Sequence, residues 1–132
     1  DDVVLLRQYR HPVGERLLEL PAGKLDVDGE SREDAARREL CEEVGLEAGE
    51  LVELATFHNS AGWTDESTTV YLARDVRPAP TPPGFTATAE EADMEVVRLP
   101  LAQAVALAAA GELCDAKTIV GVLLAGHRLA RS

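Results

Sequence analysis

The residues most able to do chemistry lie in the run Arg38-Glu39-Leu40-Cys41-Glu42-Glu43. If this run is helical, Glu39 and Glu43 stand at i and i+4, roughly 5–6 Å apart on one face. Glu42 lies one turn from Glu39 and flanks that face. Carboxylates at this density repel one another unless a cation occupies the space between them. Oxygen ligands select magnesium, manganese or calcium over zinc, and magnesium keeps several waters and readily shares itself with substrate phosphates. The same residues also allow a solvated acidic face whose Glu–Arg pairs contribute only about 0.2–0.5 kcal/mol each. On composition alone, that second outcome is the commoner one.

The elements that must carry these residues can be read along the chain. Val3 to Tyr9 is apolar and β-rich and predicts a strand, His11 to Gly14 a turn, and Arg16 to Leu20 a second short strand. Pro21-Ala22-Gly23 breaks regular structure, and a loop runs to Glu30. Ser31 is a good N-cap, with Asp34 three residues on, and Gly45 is placed to end the helix. Ala36, Leu40 and Val44 recur at four-residue spacing and predict its buried stripe. Strands follow over Leu51 to His58 and Thr68 to Val76, then a mobile loop from Arg77 to Ala89 and a strand from Met94 to Leu99. A helix from Leu101 to Ala110 opens after Pro100 and closes at Gly111. Asp115 caps a last helix reaching about Leu129.

The 132 residues suit one domain spanning 1–132. With 45% hydrophobic and 28% charged residues the composition is that of a folded soluble domain. A net charge of −11 argues against nucleic acid as a partner, since phosphate contacts need clustered Lys and Arg. No apolar run approaches the roughly 20 residues that span a bilayer, so no membrane role is expected. Cys41 and Cys114 have no metal-ligand spacing, and reduced thiols in the cytoplasm are the default for so few cysteines. His11, His58 and His127 share no ligand spacing either. Cys41 reads as a packed helix residue.

The order of residues from Gly23 to Leu46 resembles the Nudix box. That box runs Gly, five residues, Glu, seven residues, then Arg-Glu-apolar-any-Glu-Glu-any-Gly-apolar. Glu30, Arg38-Glu39-Leu40, Glu42-Glu43, Gly45 and Leu46 all fall in register; the loop between Gly23 and Glu30 is one residue longer than the general pattern. Arg7-Gln8-Tyr9-Arg10-His11-Pro12, Glu19-Leu20-Pro21-Ala22-Gly23, Gly62-Trp63-Thr64-Asp65-Glu66, Glu90-Glu91-Ala92-Asp93-Met94 and Gly111-Glu112 resemble the ADP-ribose pyrophosphatase branch of that superfamily.

The resemblance implies an α/β Nudix fold, with a mixed β-sheet sandwiched between helices (α/β/α). It implies Glu39, Glu42 and Glu43 and the Ala22 carbonyl as ligands of magnesium, with manganese as the alternative. Arg38 would orient the glutamates, while Glu30 braces the loop and Gly45 ends the helix. Glu91, or its neighbour Glu90, would be the general base or an extra ligand, although acidic pairs on loops are common without a role. Arg10 would contact the nucleotide; Lys24, Ser60, Ala61, Gly62 and Glu66 would surround the diphosphate and terminal ribose. Arg10 is otherwise a strand-end surface residue, and Trp63 is as suited to packing as to a ligand.

The implied reaction is hydrolysis of the pyrophosphate bond of ADP-ribose or a related nucleoside diphosphate sugar, giving AMP and ribose 5-phosphate. The alternatives are a non-catalytic ADP-ribose sensor and a hydrolase of another nucleotide sugar or a dinucleotide. Sensors tend to lose box glutamates, and this chain keeps Glu39, Glu42 and Glu43. The branch usually has a further N-terminal segment that exchanges strands between subunits. The resemblance therefore implies a homodimer, and a chain that lacks this segment.

Overall fold

The computed structural model describes residues 1–80 and 93–131. Strand β1 (Asp2–Arg10) passes through a single 3-10 turn (His11–Val13) into β2 (Glu15–Glu19), and Gly14 takes the left-handed conformation (φ 67°) that the reversal needs. β1 is the middle strand of its sheet. β2 runs antiparallel along one edge with Glu19 opposite Leu6, and β5 (Glu95–Pro100) runs antiparallel along the other with Val97 opposite Leu5. Successive strand residues point to opposite faces. Leu5 and Leu6 are both buried, at 0% and 1% exposure, so this sheet is covered on both sides.

Two helices cover one face. α2 (Leu101–Ala109) begins directly after Pro100, and Gly111 turns the chain away at φ 75°. α3 (Ala116–Ala130) is capped by Asp115, whose carboxylate accepts from the Thr118 amide. Ala104, Ala108, Leu113 and Val122 form the core there, with Val3 and Leu18 of the sheet packed against them. Two glycines let α3 approach closely. A Cβ on Gly126 would lie 2.7 Å from Val105 Cγ2 of α2, and one on Gly121 would lie 2.5 Å from Leu20 Cδ1 and 3.2 Å from Val70 Cγ1.

The remaining strands, β3 (Leu46–His58) and β4 (Ser67–Pro78), form a long antiparallel hairpin with an irregularity between Glu53 and Ala55. Helix α1 (Arg32–Val44) packs on β3. Ser31 Oγ accepts from the Asp34 amide, and Gly45 ends the helix at φ 67° while its N–H reaches the Cys41 carbonyl.

The α/β class and the order of elements are those expected from the sequence. Four details differ. The described strands pair as two antiparallel sheets, β2-β1-β5 and β3-β4, where one mixed sheet was expected; α3 contacts both, through β2, β3 and β4. β3 starts at Leu46, not Leu51: Leu46 and Ala48 are buried in alternation with exposed Glu47 and Gly49, and the bare Gly49 accommodates Asp75, held at φ 54° across the hairpin. Ala36, Leu40 and Val44 are only half-buried, and Ala35 is the buried residue of α1. Arg77 and Pro78, read as loop, belong to β4, and residues 81–92 lie outside the described ones.

Gly121→Val should overpack the junction of α3 with β2 and β4. Urea denaturation should show a loss of about 1–3 kcal/mol, and unchanged stability would mean that α3 does not press on both sheets.

Candidate active site

A cleft opens between α1, the β3–β4 hairpin and the β1 sheet, and its walls carry both signs of charge. Glu39 of α1 lies on one side, Arg10 and Lys117 on another, and the loop from Leu20 to Leu25 runs along it. The loop and α1 meet closely. The Ala22 N–H donates to Glu43 Oε1 at 2.8 Å, and a Cβ on Gly23 would fall 2.0 Å from Glu39 Cδ. Only a residue without a side chain leaves room there for the Glu39 carboxylate. Glu39 and Glu43, one turn apart on α1, thus both reach the Pro21–Gly23 segment.

Arg38 organises the other acids. Its Nε donates to Glu30 Oε2 at 3.0 Å, and its Nη1 donates to Glu39 Oε1 at 2.8 Å and Glu42 Oε2 at 3.3 Å. The hydrogen bonds to Glu30, with the nearby charge of Glu39, hold the guanidinium pKa above its already high ordinary value against the opposing effect of burial. Glu30 precedes the helix, so Arg38 ties the end of the loop to the helix that carries the glutamates.

As donors, carboxylates and a backbone carbonyl fit a hard divalent cation. Among the described residues, however, no three His, Cys, Asp or Glu side chains are gathered closely enough to enclose a cation as they stand. Glu39 and Glu43 share the loop, and Glu42 is turned to Arg38. Dense carboxylates take whichever protein donors lie in reach, and this spreads them.

The substrate candidates divide. Arg10, Ala22, Lys24 and Glu66 border the cleft, whereas Ala61 and Gly62 line a shallow depression that adjoins it at Asp65, beside His58 and the 83%-exposed Trp63. Ser60 accepts from the Trp63 and Thr64 amides and so shapes the turn. Asn59 donates to the Glu66 carboxylate across the base of that loop. Glu90 and Glu91 lie outside the described residues.

The sequence reading did not single out a second charged cluster. Glu19 is 1% exposed, yet both of its oxygens are engaged: Arg10 Nε donates to Oε2 at 2.7 Å, and Arg10 Nη2 and Lys117 Nζ each donate to Oε1 at 2.8 Å. Burial pushes the Glu19 pKa up, but the hydrogen bonds and charges of Arg10 and Lys117 outweigh it, and the carboxyl sits below its ordinary 4.5. The available signal was a lone acid inside the apolar run Leu17-Leu18-Glu19-Leu20, since a buried carboxylate demands a cationic partner.

The family model for the NUDIX domain matches residues 1–119, and the chain belongs to that family. It is 43% identical over 122 residues to an ADP-ribose pyrophosphatase of Mycobacterium tuberculosis, covering 92% of this chain and 58% of that protein. It is 36% identical over 126 residues to a GDP-mannose pyrophosphatase of Citrobacter koseri, covering 89% of this chain and 63% of that protein. Among solved structures, an ADP compounds hydrolase superposes with a TM-score of 0.83 at 27% identity, covering 98% of this chain and 67% of that one. The chain therefore spans about three fifths of the length of these curated relatives.

Because Glu19 binds its proton more weakly folded than unfolded, its contribution to stability is complete above the unfolded pKa. It is lost as pH falls from about 4.5 through the lower folded value. Thermal unfolding followed from pH 7 to pH 3 should show a shallower acid decline for Glu19→Gln, from a lower starting point, than for the parent chain. Parallel declines would show that Glu19 is not coupled to folding.

Proposed function

We propose that this chain hydrolyses the pyrophosphate bond of a nucleoside diphosphate sugar, ADP-ribose before others, with magnesium as cofactor and manganese as the alternative, giving AMP and ribose 5-phosphate. The observation that carries this reading is the meeting of Glu39 and Glu43 with the Pro21–Gly23 loop, where a Cβ on Gly23 would collide with the Glu39 carboxylate. Glu39, Glu43 and the Ala22 carbonyl would hold the cation, with Glu42 beside them. When bound, the cation supplies water activation and neutralisation of phosphoryl charge.

The chain's own groups supply the rest. Arg38 orients Glu39 and Glu42 through its hydrogen bonds to both. Arg10 and Lys24 border the cleft and offer positive charge to a diphosphate, offsetting the acidic character of α1. Glu91, or Glu90, is assigned the proton of the attacking water. At about 1470 Å³, the cleft exceeds the roughly 1,000 Å³ upper range of small-molecule pockets, and so has room for an extended nucleotide sugar. Support for ADP-ribose comes from the Mycobacterium tuberculosis relative, and support for other nucleotide sugars from the Citrobacter koseri one. The reading extends to a homodimer working in the cytoplasm, and light scattering on the purified protein tests the dimer.

Assayed with magnesium against ADP-ribose, GDP-mannose and dinucleotides, with products resolved by chromatography, the chain should turn over ADP-ribose fastest. Glu43→Gln should lower kcat by about 10²-fold or more, the scale on which one electrostatic transition-state contact acts, while leaving ADP-ribose affinity within a few-fold. Full activity in Glu43→Gln would remove the glutamates from the mechanism. Gly23→Ala should lower turnover at least ten-fold, about 1.4 kcal/mol of barrier, with little change in melting temperature. An active Gly23→Ala would show that the close approach of the loop to Glu39 is not needed.

A further inference from the structure

The start of α3 reaches the cleft along two routes that meet at β2. Asp115 caps the helix, accepting from the Thr118 amide at 3.2 Å and from Thr118 Oγ1 at 2.6 Å. Thr118 Oγ1 in turn accepts from the Leu20 N–H at 3.0 Å, directly before the Pro21–Gly23 loop that Glu39 and Glu43 touch. Lys117, between these two residues, donates to both Asp115 oxygens at 3.0 and 2.9 Å and to Glu19 Oε1 at 2.8 Å. Glu19 completes the chain with its two-pronged bond to Arg10. Lys117 and Arg10 both border the cleft.

We infer that Lys117 is a positioning residue: acting through the buried Glu19 carboxylate, it fixes the plane of the Arg10 guanidinium for a phosphate of the bound nucleotide. A carboxylate that pairs with Arg10 alone can rock about the axis of the fork. One that also accepts from an ammonium anchored at a helix cap cannot, because its Oε1 is held from two directions. The fork commits Nε and Nη2 of Arg10 to Glu19, and so sets the plane of the guanidinium. Lys117 contributes no contact to the reacting atoms in this arrangement. Its effect is to lower the cost of ordering Arg10 when ligand arrives.

This inference rests on the proposed function for the identity of the ligand, and its test separates the two. Lys117→Met, Lys117→Arg, Arg10→Ala and the Arg10→Ala/Lys117→Met double variant are compared by ADP-ribose turnover with magnesium and by calorimetric binding of ADP-ribose in EDTA, where nothing turns over. Lys117→Met should raise KM and weaken metal-free binding by about ten-fold, the scale of one charge-assisted hydrogen bond, with kcat within two-fold. Lys117→Arg should restore most of that loss. The double variant should bind no more weakly than Arg10→Ala, since the effect of Lys117 passes through Arg10.

A purely structural lysine would lower the melting temperature and active fraction without this split, and its effect would add to that of Arg10→Ala; either result overturns the inference. A parent chain that binds ADP-ribose but does not cleave it overturns the proposed function alone, and the binding series then decides the role of Lys117. A parent chain that fails to bind it overturns both.

Discussion

Arg38 holds together a structure whose acidic residues would otherwise push it apart. Its side chain is 26% exposed, and those of its partners Glu30, Glu39 and Glu42 are 14%, 15% and 19% exposed. At such partial burial a charged hydrogen bond is worth more than at an open surface, on the order of 1.5–3 kcal/mol. A carboxylate stripped of its partner costs more than the bond itself contributed. One guanidinium thereby fixes the entry to α1 through Glu30 and the aim of Glu39 at the same time. Lysine could not take its place, because one edge of a planar fork, Nε and Nη2, holds Glu30 while Nη1 reaches Glu39 and Glu42.

The cleft divides its electrostatics between two supports. Acids are carried on α1, and the cations Arg10 and Lys117 come from β1 and α3, tied together by the buried Glu19. In a chain of net charge −11, an anionic diphosphate would meet repulsion over most of the surface, so locally placed positive charge has to set where it settles. Arg10 and Lys117 are balanced by Glu19 and Asp115, so the cluster holds its cations in place without adding net charge to the cleft wall.

Much of this was legible in the residues. Ser31, Gly45, Asp115 and Gly111 act through local chemistry that needs no tertiary partner, and the helix ends fall where they were expected. The run from Glu30 to Gly45 was legible for a related reason: a helix converts spacing directly into direction. The loop residues were harder. Ala61 and Gly62 line a shallow depression that meets the cleft of Glu66 at Asp65, because the turn at Ser60 sets them to one side. Lys117 escaped notice for the opposite reason. Its partner Glu19 lies 98 positions earlier in the chain, and no local pattern announces a pairing of that range. The half-buried stripe of α1 was misjudged because periodicity reports which residues share a face, not how completely another layer covers that face.

Helix α3 touches both sheets and so ties together two parts of the molecule that also meet at the Pro21–Gly23 loop and α1. Its middle is wedged at Gly121 against Leu20 and Val70 and at Gly126 against Val105, while its first turn carries Lys117 and Thr118. Held at those two contacts, the helix has little freedom to slide along its axis. The packing of α3 under α2 and the placement of Lys117 beside Glu19 therefore rest on the same rod. Hydrocarbon packing and charge placement are, through this one element, the same mechanical problem.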